Sequence, residues 1–333
     1  MTNPVTRSER VAFQCANNRI ASPPVRACIM AIAILTLAAR CGDATGPGDA
    51  DDDTPPAGAD VSQPFPIDRG DDAGTPGTYK GLPLRLVDNG APAVTAVDGV
   101  IGLVCVGMSN ANQECSDFIQ RVRGSFAAEV NPAVRVVNCA VGGHAIERWN
   151  DASFDDRLWD DCVARKLAPA GVRADQVRVI WHKAANQFTT LSNGVALPVY
   201  PAAGSDYHAF IANLTTFAGR LRAKFPSVQA VYVTSRSYGG FSGGVSRGEP
   251  LSYEEGHALN TWLRQNRMVQ GVWYGWGPYI WAPDCASGVR NAGDVCYVRD
   301  DYIADGVHPS PSGEAKVSGL LHLRLRQHAW YRR

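Results

Sequence analysis

Two short segments hold the side chains that serine-based nucleophilic catalysis needs. Ser109 comes two residues after a short apolar run that ends at Gly107, and Asp305 precedes His308 by three residues. A serine hydroxyl is a weak nucleophile until a neighbouring base accepts its proton, and an imidazole held by a carboxylate can be that base. The residue types therefore permit acyl transfer. Each residue also has a simpler interpretation, Ser109 as a helix cap and His308 as a surface loop histidine.

Two further segments could approach a ligand at the same place. Gly142 and Gly143 follow a second apolar run, and paired glycines let a backbone turn tightly and approach a ligand. Asn186 follows a third apolar run, where its side-chain amide can project over the end of a strand. Taken singly, the glycines also suit an ordinary turn between a strand and a helix, and Asn186 also suits a turn cap.

Alternating strands and helices must position these segments. The apolar runs are short and rich in β-branched residues, which is typical of buried parallel strands. The predicted strands are 100–106, 134–140, 177–181, 230–234 and 272–274, with an additional edge strand at 82–87. The predicted helices are 114–130, 153–167, 207–225, 253–265 and 311–326. This order predicts a parallel sheet with helices on both faces, an α/β/α sandwich whose ligands bind at the carboxyl edge of the strands.

The four segments, taken in order, resemble the blocks of the SGNH hydrolases, also called the GDSL esterase family. That family carries a serine, a glycine, an asparagine and an Asp-x-x-His motif, each at a strand end or in the loop after it. The resemblance covers roughly residues 98–325 and implies a five-stranded, mainly parallel, flavodoxin-like sheet. The matching residues are Ser109, Gly143, Asn186, Asp305 and His308.

Two blocks depart from the GDSL pattern. Met108 stands where GDSL members carry an aspartate, so the first block, Gly-Met-Ser-Asn, is closer to the Gly-Gln-Ser-Asn of sialate and xylan acetylesterase relatives. The third block is Ala-Ala-Asn-Gln, and Ala185 takes the place of a glutamate found in those acetylesterases. The catalytic triad that the resemblance implies, Ser109 with His308 and Asp305, is unchanged. We expect a substrate with a small acyl group, such as acetyl on a carbohydrate.

The resemblance implies a role for each matching residue. His308 is the general base and later the acid that protonates the leaving alkoxide, and Asp305 holds the imidazole ring. The backbone N–H groups of Ser109 and Gly143 and the side-chain amide of Asn186 form the oxyanion hole. This chemistry needs neither a cofactor nor a metal, and the remaining histidines show no spacing typical of metal ligands.

Residues near the blocks are candidates for substrate contact. Four residues after Gly143 either line the acyl pocket or form helix surface and packing: His144, Glu147, Arg148 and Trp149. Among the aromatic residues further along the chain, we expect Trp273 in the core and Trp276 and Tyr279 at a sugar-stacking rim. The substrate-binding candidates are Met108, Asn110, His144, Trp149, Gln187 and Tyr238.

Composition narrows the function classes. The 333 residues include 32 Lys and Arg and 32 Asp and Glu, which argues against a nucleic-acid binder because such proteins usually show a basic excess. Two classes stay open: a serine esterase, or a non-catalytic binding protein for a carbohydrate or other ligand on the same scaffold. The retention of all three triad residue types favours the esterase. We expect a monomer.

The N-terminal region has the composition of an export signal. An almost wholly apolar run at 27–39 follows several arginines and precedes Arg40 and Cys41. We therefore predict a signal peptide over 1–41. The cysteine after the apolar run resembles a bacterial lipoprotein signal, although a small residue is expected where Arg40 stands. The mature protein is expected to be anchored to the bacterial cell envelope through a lipidated Cys41 or to be secreted. Residues 42–77 contain nine Asp and one Arg and are predicted to be a disordered linker. The catalytic domain is predicted over 78–333.

The cysteines fit an oxidising compartment. Cys285 and Cys296 flank a turn-rich loop and are predicted to form a disulfide. Cys115 with Cys162 is a candidate for a second bridge. We expect Cys105 and Cys139 to be small buried core residues.

Overall fold

The computed structural model describes residues 83–244 and 246–333. The predicted signal peptide, 1–41, and the predicted linker, 42–77, lie outside the described residues. The edge strand expected at 82–87 does not form over 83–87, where the structure has no strand. This segment packs on the domain instead, since Leu84 is buried and the Val87 N–H donates to Asn260 Oδ1 at 2.8 Å.

The described residues contain a six-stranded sheet in the order β2-β1-β3-β4-β6-β5. Five strands are parallel, which confirms the predicted sheet and gives it the flavodoxin-like order. The sixth, β5, is a two-residue antiparallel strand joined to β6 by a tight turn at Gln270 and Gly271. It is too short to show as a sequence pattern. The strands are β1 Ile101–Gly107, β2 Val134–Asn138, β3 Val177–Lys183, β4 Ala230–Thr234, β5 Met268–Val269 and β6 Val272–Trp276.

Helices cover both faces of the sheet, as the alternation predicts. Helices α1 and α6 pack on one face, and α2, α4 and α5 pack on the other. Among the described residues no helix combines the length and the apolar character needed to cross a membrane. The helices are α1 Ser109–Arg123, α2 Ile146–Asn150, α3 Trp159–Asp161, α4 Asp206–Lys224, α5 Leu251–Gln265 and α6 Pro311–Leu325.

Two of the predicted helices differ from the structure. Helix α1 begins at Ser109 rather than 114 and ends at Arg123, because its first turn is polar and lacks apolar periodicity. Residues 153–167 do not form one helix. They divide into a 3₁₀ turn at Ala152–Arg157, the short helix α3 and a π-helical turn at Cys162–Lys166.

The aromatic residues after β5 form core rather than a sugar-stacking rim. Trp273 is buried as expected, but Trp276 and Tyr279 are each only 2% exposed, so the expected rim is wrong. The indole of Trp276 donates to Asn260 Oδ1 at 2.9 Å. The Tyr279 hydroxyl accepts the N–H of Leu84 at 3.2 Å. These polar tips have interior partners, which is how tyrosine and tryptophan are usually buried.

The described residues contain three disulfides. Cys285–Cys296 confirms the predicted loop bridge. The expected Cys115–Cys162 bridge is wrong, because Cys115 pairs with Cys105 and Cys162 pairs with Cys139. Cys105 and Cys139 are buried, as expected, but they are not free thiols. One of these bridges ties α1 to β1, and the other ties the end of β2 to the segment after α3.

Peptide mapping under non-reducing conditions tests this connectivity. We expect one peptide pair that joins Cys105 to Cys115 and another that joins Cys139 to Cys162, since each pair lies in contact in the fold. After reduction and alkylation, both pairs should separate into single peptides. A Cys115–Cys162 pair, or unmodified thiols at these positions in exported protein, contradicts the packing of α1 on β1 described above.

Candidate active site

The carboxyl edge of the sheet brings Ser109, His308 and Asp305 into one hydrogen-bonded chain. Ser109 is the first residue of α1, directly after β1, and His308 lies in the loop before α6. Ser109 Oγ lies 2.7 Å from His308 Nε2, and His308 Nδ1 lies 2.5 Å from Asp305 Oδ2. With its proton on Nδ1 toward the carboxylate, the imidazole leaves Nε2 to accept the serine hydroxyl.

The Asp305 carboxylate is held in its ionised form. Partial burial by itself raises the pKa of Asp305, but hydrogen bonds from the His308 ring and from the N–H groups of His308 and Val307 outweigh it. The pKa falls to about 2. Asp305 Oδ1 accepts these two N–H groups at 3.0 and 2.9 Å. The carboxylate is therefore charged at neutral pH and orients the imidazole.

The turn between β1 and α1 requires a glycine and leaves the helix start uncapped. Gly107 has φ +147°, and a Cβ there would lie 2.6 Å from the carbonyl oxygen of Lys183. Met108 occupies the N-cap position and makes no side-chain capping bond. Ser109 is therefore not the cap, which removes the simpler interpretation of this residue. As first helical residue, Ser109 also has a backbone N–H with no intrahelical acceptor.

The second block forms a tight turn beside Ser109. Gly143 has φ +73°, and a Cβ on Gly142 would lie 3.9 Å from Ser109 Cβ. Among the described residues no acceptor is paired with the Gly143 N–H. The oxyanion role of this N–H stays a prediction. The ring of His144 turns back to the Gly142 carbonyl, with its Nδ1 at 2.7 Å.

Trp149 supports this turn and does not contact substrate. The side chain is fully buried, so the prediction that it binds substrate is wrong. Its indole N–H lies 3.1 Å from the carbonyl oxygen of His144 and 3.3 Å from that of Gly107. The indole N–H of Trp149 thus links the turn after β1 to the turn at Gly142 and Gly143. The sequence gives no signal for this bond beyond an aromatic residue on a short helix.

Asn186 forms hydrogen bonds with four polar residues through its side chain and its backbone. Its amide Nδ2 donates to Asp206 Oδ1 at 2.9 Å, and its Oδ1 accepts from Asn213 at 2.8 Å. Its backbone N–H donates to Glu255 Oε1 at 2.9 Å, and Arg236 donates to its backbone carbonyl. One amide N–H is thus committed to Asp206 Oδ1, and Nδ2 also lies 3.4 Å from the Asp206 backbone carbonyl oxygen. The oxyanion role of Asn186 depends on the other amide N–H and stays a prediction.

Two carboxylates fix the loops at this edge. Sequence analysis gave Glu114 no role and gave Glu147 either a place in the acyl pocket or one on the helix surface. Glu147 Oε1 accepts the N–H groups of Gln187 and Phe188 at 2.9 and 3.0 Å, which secures the loop after β3. Glu114 forms an ion pair with Lys183 beside the nucleophile turn, and each side chain is only 1% exposed. Burial raises the pKa of Glu114 and lowers that of Lys183, while their mutual attraction opposes both shifts.

A cavity of about 220 Å³ opens at the triad. It adjoins a smaller cavity that Lys183, Ser237 and Tyr238 help to line. His144, a predicted substrate-binding residue, lines neither of these two cavities. Arg236 and Arg247 line both cavities, and sequence analysis missed them. No group of three or more His, Cys, Asp or Glu side chains among the described residues is arranged to hold a metal ion. The larger cavity is lined by Met108, Ser109, Asn110, Gly143, Ala145, Asn186, Gln187, Arg236, Arg247, Val307 and His308.

No protein-family model and no curated protein matches the sequence. Solved structures similar to this chain include a putative GDSL-like lipase from Parabacteroides merdae, 13% identical over 71% of this chain and 100% of that chain, with a TM-score of 0.43. A putative SGNH hydrolase from Slackia heliotrinireducens is 14% identical over 68% and 99%, with a TM-score of 0.40. An acetyl xylan esterase from Geobacillus stearothermophilus is 12% identical over 68% and 95%, with a TM-score of 0.42.

Substitution of Gly306 tests how firmly the loop between Asp305 and His308 is held in place. The φ of Gly306 is +67°, and a Cβ there would collide with the carbonyl of Phe241. We expect Gly306→Ala to lower the free energy of unfolding by about 2 kcal/mol or more and to reduce activity, because strain and collision displace the loop between Asp305 and His308.

Gly219→Ala is the matched control. Gly219 lies within α4, and a Cβ there meets nothing within 4 Å. Alanine should therefore stabilise the helix by up to about 1 kcal/mol and leave activity unchanged. Chemical denaturation compares both variants with wild type. Equal stability of the two variants contradicts the packing of Phe241 on this loop.

Proposed function

We propose that this chain is a serine esterase of the SGNH type that hydrolyses a small acyl ester. The observation that carries the proposal is the hydrogen-bonded chain from Ser109 Oγ through His308 to Asp305 at the mouth of a cavity. Each atom of that chain has the partner that nucleophilic catalysis requires. An unpaired backbone N–H on Gly143 and the uncapped start of α1 lie beside the nucleophile and supply oxyanion donors.

Acylation follows from these positions. His308 Nε2 accepts the proton of the Ser109 hydroxyl as Oγ attacks the ester carbonyl, and Asp305 stabilises the imidazolium that forms. The N–H groups of Ser109 and Gly143, with the second amide N–H of Asn186, stabilise the negative oxygen of the tetrahedral intermediate. The intermediate collapses to the acyl-enzyme, and His308 returns its proton to the departing alkoxide.

Deacylation uses the same groups in the same order. A water molecule takes the place of the alcohol and gives a proton to His308 Nε2 as its oxygen attacks the acyl carbon. The second tetrahedral intermediate uses the same oxyanion donors. Its collapse releases the carboxylic acid, and His308 returns the proton to Ser109 Oγ. The balance is one ester and one water consumed, and one acid and one alcohol formed.

The cavity favours a short acyl group and a polar alcohol. Its volume of about 220 Å³ lies below the roughly 300–1,000 Å³ of typical ligand pockets. Amide and guanidinium groups of Asn110, Gln187 and Arg236 line it beside the nucleophile. Such groups hydrogen-bond to sugar hydroxyls, so we propose an O-acetyl group on a carbohydrate as the substrate.

The proposed enzyme works outside the cytoplasm. Disulfides form and persist in oxidising compartments, and the described residues contain three. This supports export by the predicted signal at 1–41. We propose that the mature protein is a monomer, anchored to the bacterial cell envelope through a lipidated Cys41 or secreted.

Kinetics of triad variants on an aryl acetate test the mechanism. Ser109→Ala and His308→Ala should each lower kcat by roughly 10⁴-fold or more, because the triad acts as a unit. Asp305→Ala should have the smallest effect of the three, since nucleophile and base remain. Acetate release and chromophore release measure the same turnover.

Ser116→Ala is the matched control on the same helix. The Ser116 hydroxyl bonds to the Asn112 carbonyl at 2.8 Å and does not line the cavity, so turnover should stay within about twofold of wild type. Wild-type turnover in Ser109→Ala contradicts the assignment of the nucleophile. If the wild-type protein hydrolyses no ester, the non-catalytic binding protein becomes the better account.

A further inference from the structure

The cavity at Ser109 is lined by cations and by no acid. Arg236 and Arg247 line both this cavity and the smaller one beside it, where Lys183 is added. None of the described residues that line either cavity is Asp or Glu. A ligand in this space therefore meets positive charge only, apart from the neutral groups.

Two of the three cations already have a buried counterion. Lys183 is paired with Glu114, and both side chains are nearly inaccessible. Arg236 donates from Nε to Glu255 Oε2 at 2.6 Å, and Glu255 is fully buried. These two charges hold the loops in place and are neutralised where they stand. They add little net charge to the cavity.

Arg247 differs from both. Among the residues that the structure describes, no carboxylate and no carbonyl pairs with its guanidinium, and the residue is exposed at the cavity. The carboxylate of Glu249, two residues away, is not available to it. Glu249 accepts the N–H groups of Gly239 and Tyr253 and the indole of Trp281, at 2.8, 3.2 and 2.9 Å.

The loop that carries Arg247 is held on both sides of it. Before Arg247, the hydroxyl of Thr189 donates to the carbonyl of Ser246. After it, the N–H of Ser252 donates to the Gly248 carbonyl at 3.3 Å. The backbone of Arg247 is thus held at the rim of the cavity, and its side chain is among those that line the cavity. A planar fork of N–H donors in such a place matches a carboxylate in a two-point contact.

From this charge arrangement we infer that Arg247 binds an anionic group of the substrate. The ester that this site hydrolyses is then carried by an acidic carbohydrate, one with a carboxylate near the acylated hydroxyl. This inference rests on the proposed esterase function and adds the substrate class to it. Arg247 sets specificity, whereas Lys183 and Arg236 position the loops.

A matched pair of glycosides measures the contribution of the carboxylate. One substrate is methyl tri-O-acetyl-glucuronoside, and the other is the same glycoside with the carboxylate replaced by a carboxamide. For wild type we expect kcat/KM to favour the acid by roughly two- to fivefold at low salt. The preference should decline as ionic strength rises, because an exposed ion pair is screened.

Variants of Arg247 test whether this side chain causes the preference for the acid over the carboxamide. Arg247→Gln should bring the ratio of the two kcat/KM values close to one, and Arg247→Lys should keep an intermediate ratio because it keeps charge but loses the fork. The control is Arg123→Gln. Arg123 is also exposed, but it lies in the last turn of α1, roughly 20 Å along the helix from Ser109. This control should keep the wild-type ratio. Equal rates on both glycosides in wild type, or a ratio that Arg247→Gln does not change, overturn the inference.

Binding to Ser109→Ala protein separates this inference from the esterase proposal. Saturation-transfer NMR should show the glucuronoside bound more tightly than its carboxamide, and Arg247→Gln in the same background should remove the difference. If wild type hydrolyses neither glycoside nor any aryl acetate, the esterase proposal fails while this binding difference still supports Arg247. Equal binding of the two glycosides overturns the role of Arg247, whatever the esterase activity.

Discussion

The hydrogen bond between Ser109 Oγ and His308 Nε2 joins residues 199 positions apart and is the contact on which this site depends. It forms because the first and last helices of the described domain pack side by side on one face of the sheet. The Ser318 hydroxyl donates to the Glu114 carbonyl at 3.2 Å and joins α6 to α1. Closer to the site, Asn110 Nδ2 donates to the Val307 carbonyl at 2.9 Å, which ties the nucleophile turn to the histidine loop.

Carboxylates hold the loops around this contact. Each of four glutamates in the described residues accepts loop N–H groups, a cation, or both. Such groups cost desolvation when they are buried, but each accepts bonds that only one loop geometry provides. Burial of these carboxylates lowers the stability of the fold, but their hydrogen bonds fix the position of the catalytic groups. The four are Glu114, Glu147, Glu249 and Glu255.

Sequence analysis predicted the elements that show a local pattern of apolar residues. It missed contacts between residues that lie far apart in the sequence. The five parallel strands are mostly apolar, so their existence could be predicted, and the blocks at their ends located Ser109, His308 and Asp305. The flavodoxin-like order was expected from the family resemblance. The start of α1 was missed because its polar first turn has no apolar periodicity. The roles of Trp149 and Glu147, and the pairing of Cys105 with Cys115, depend on neighbours that only the folded chain supplies.

The central claim is that Ser109 is a nucleophile activated by His308. Reaction with a serine-directed aryl phosphonate, followed by peptide mapping, tests it without assuming any substrate. The account predicts one covalent adduct per chain, located on Ser109, and much slower labelling of His308→Ala, because the hydroxyl then lacks its base. An adduct on another residue, or no adduct on folded wild-type protein, contradicts the account.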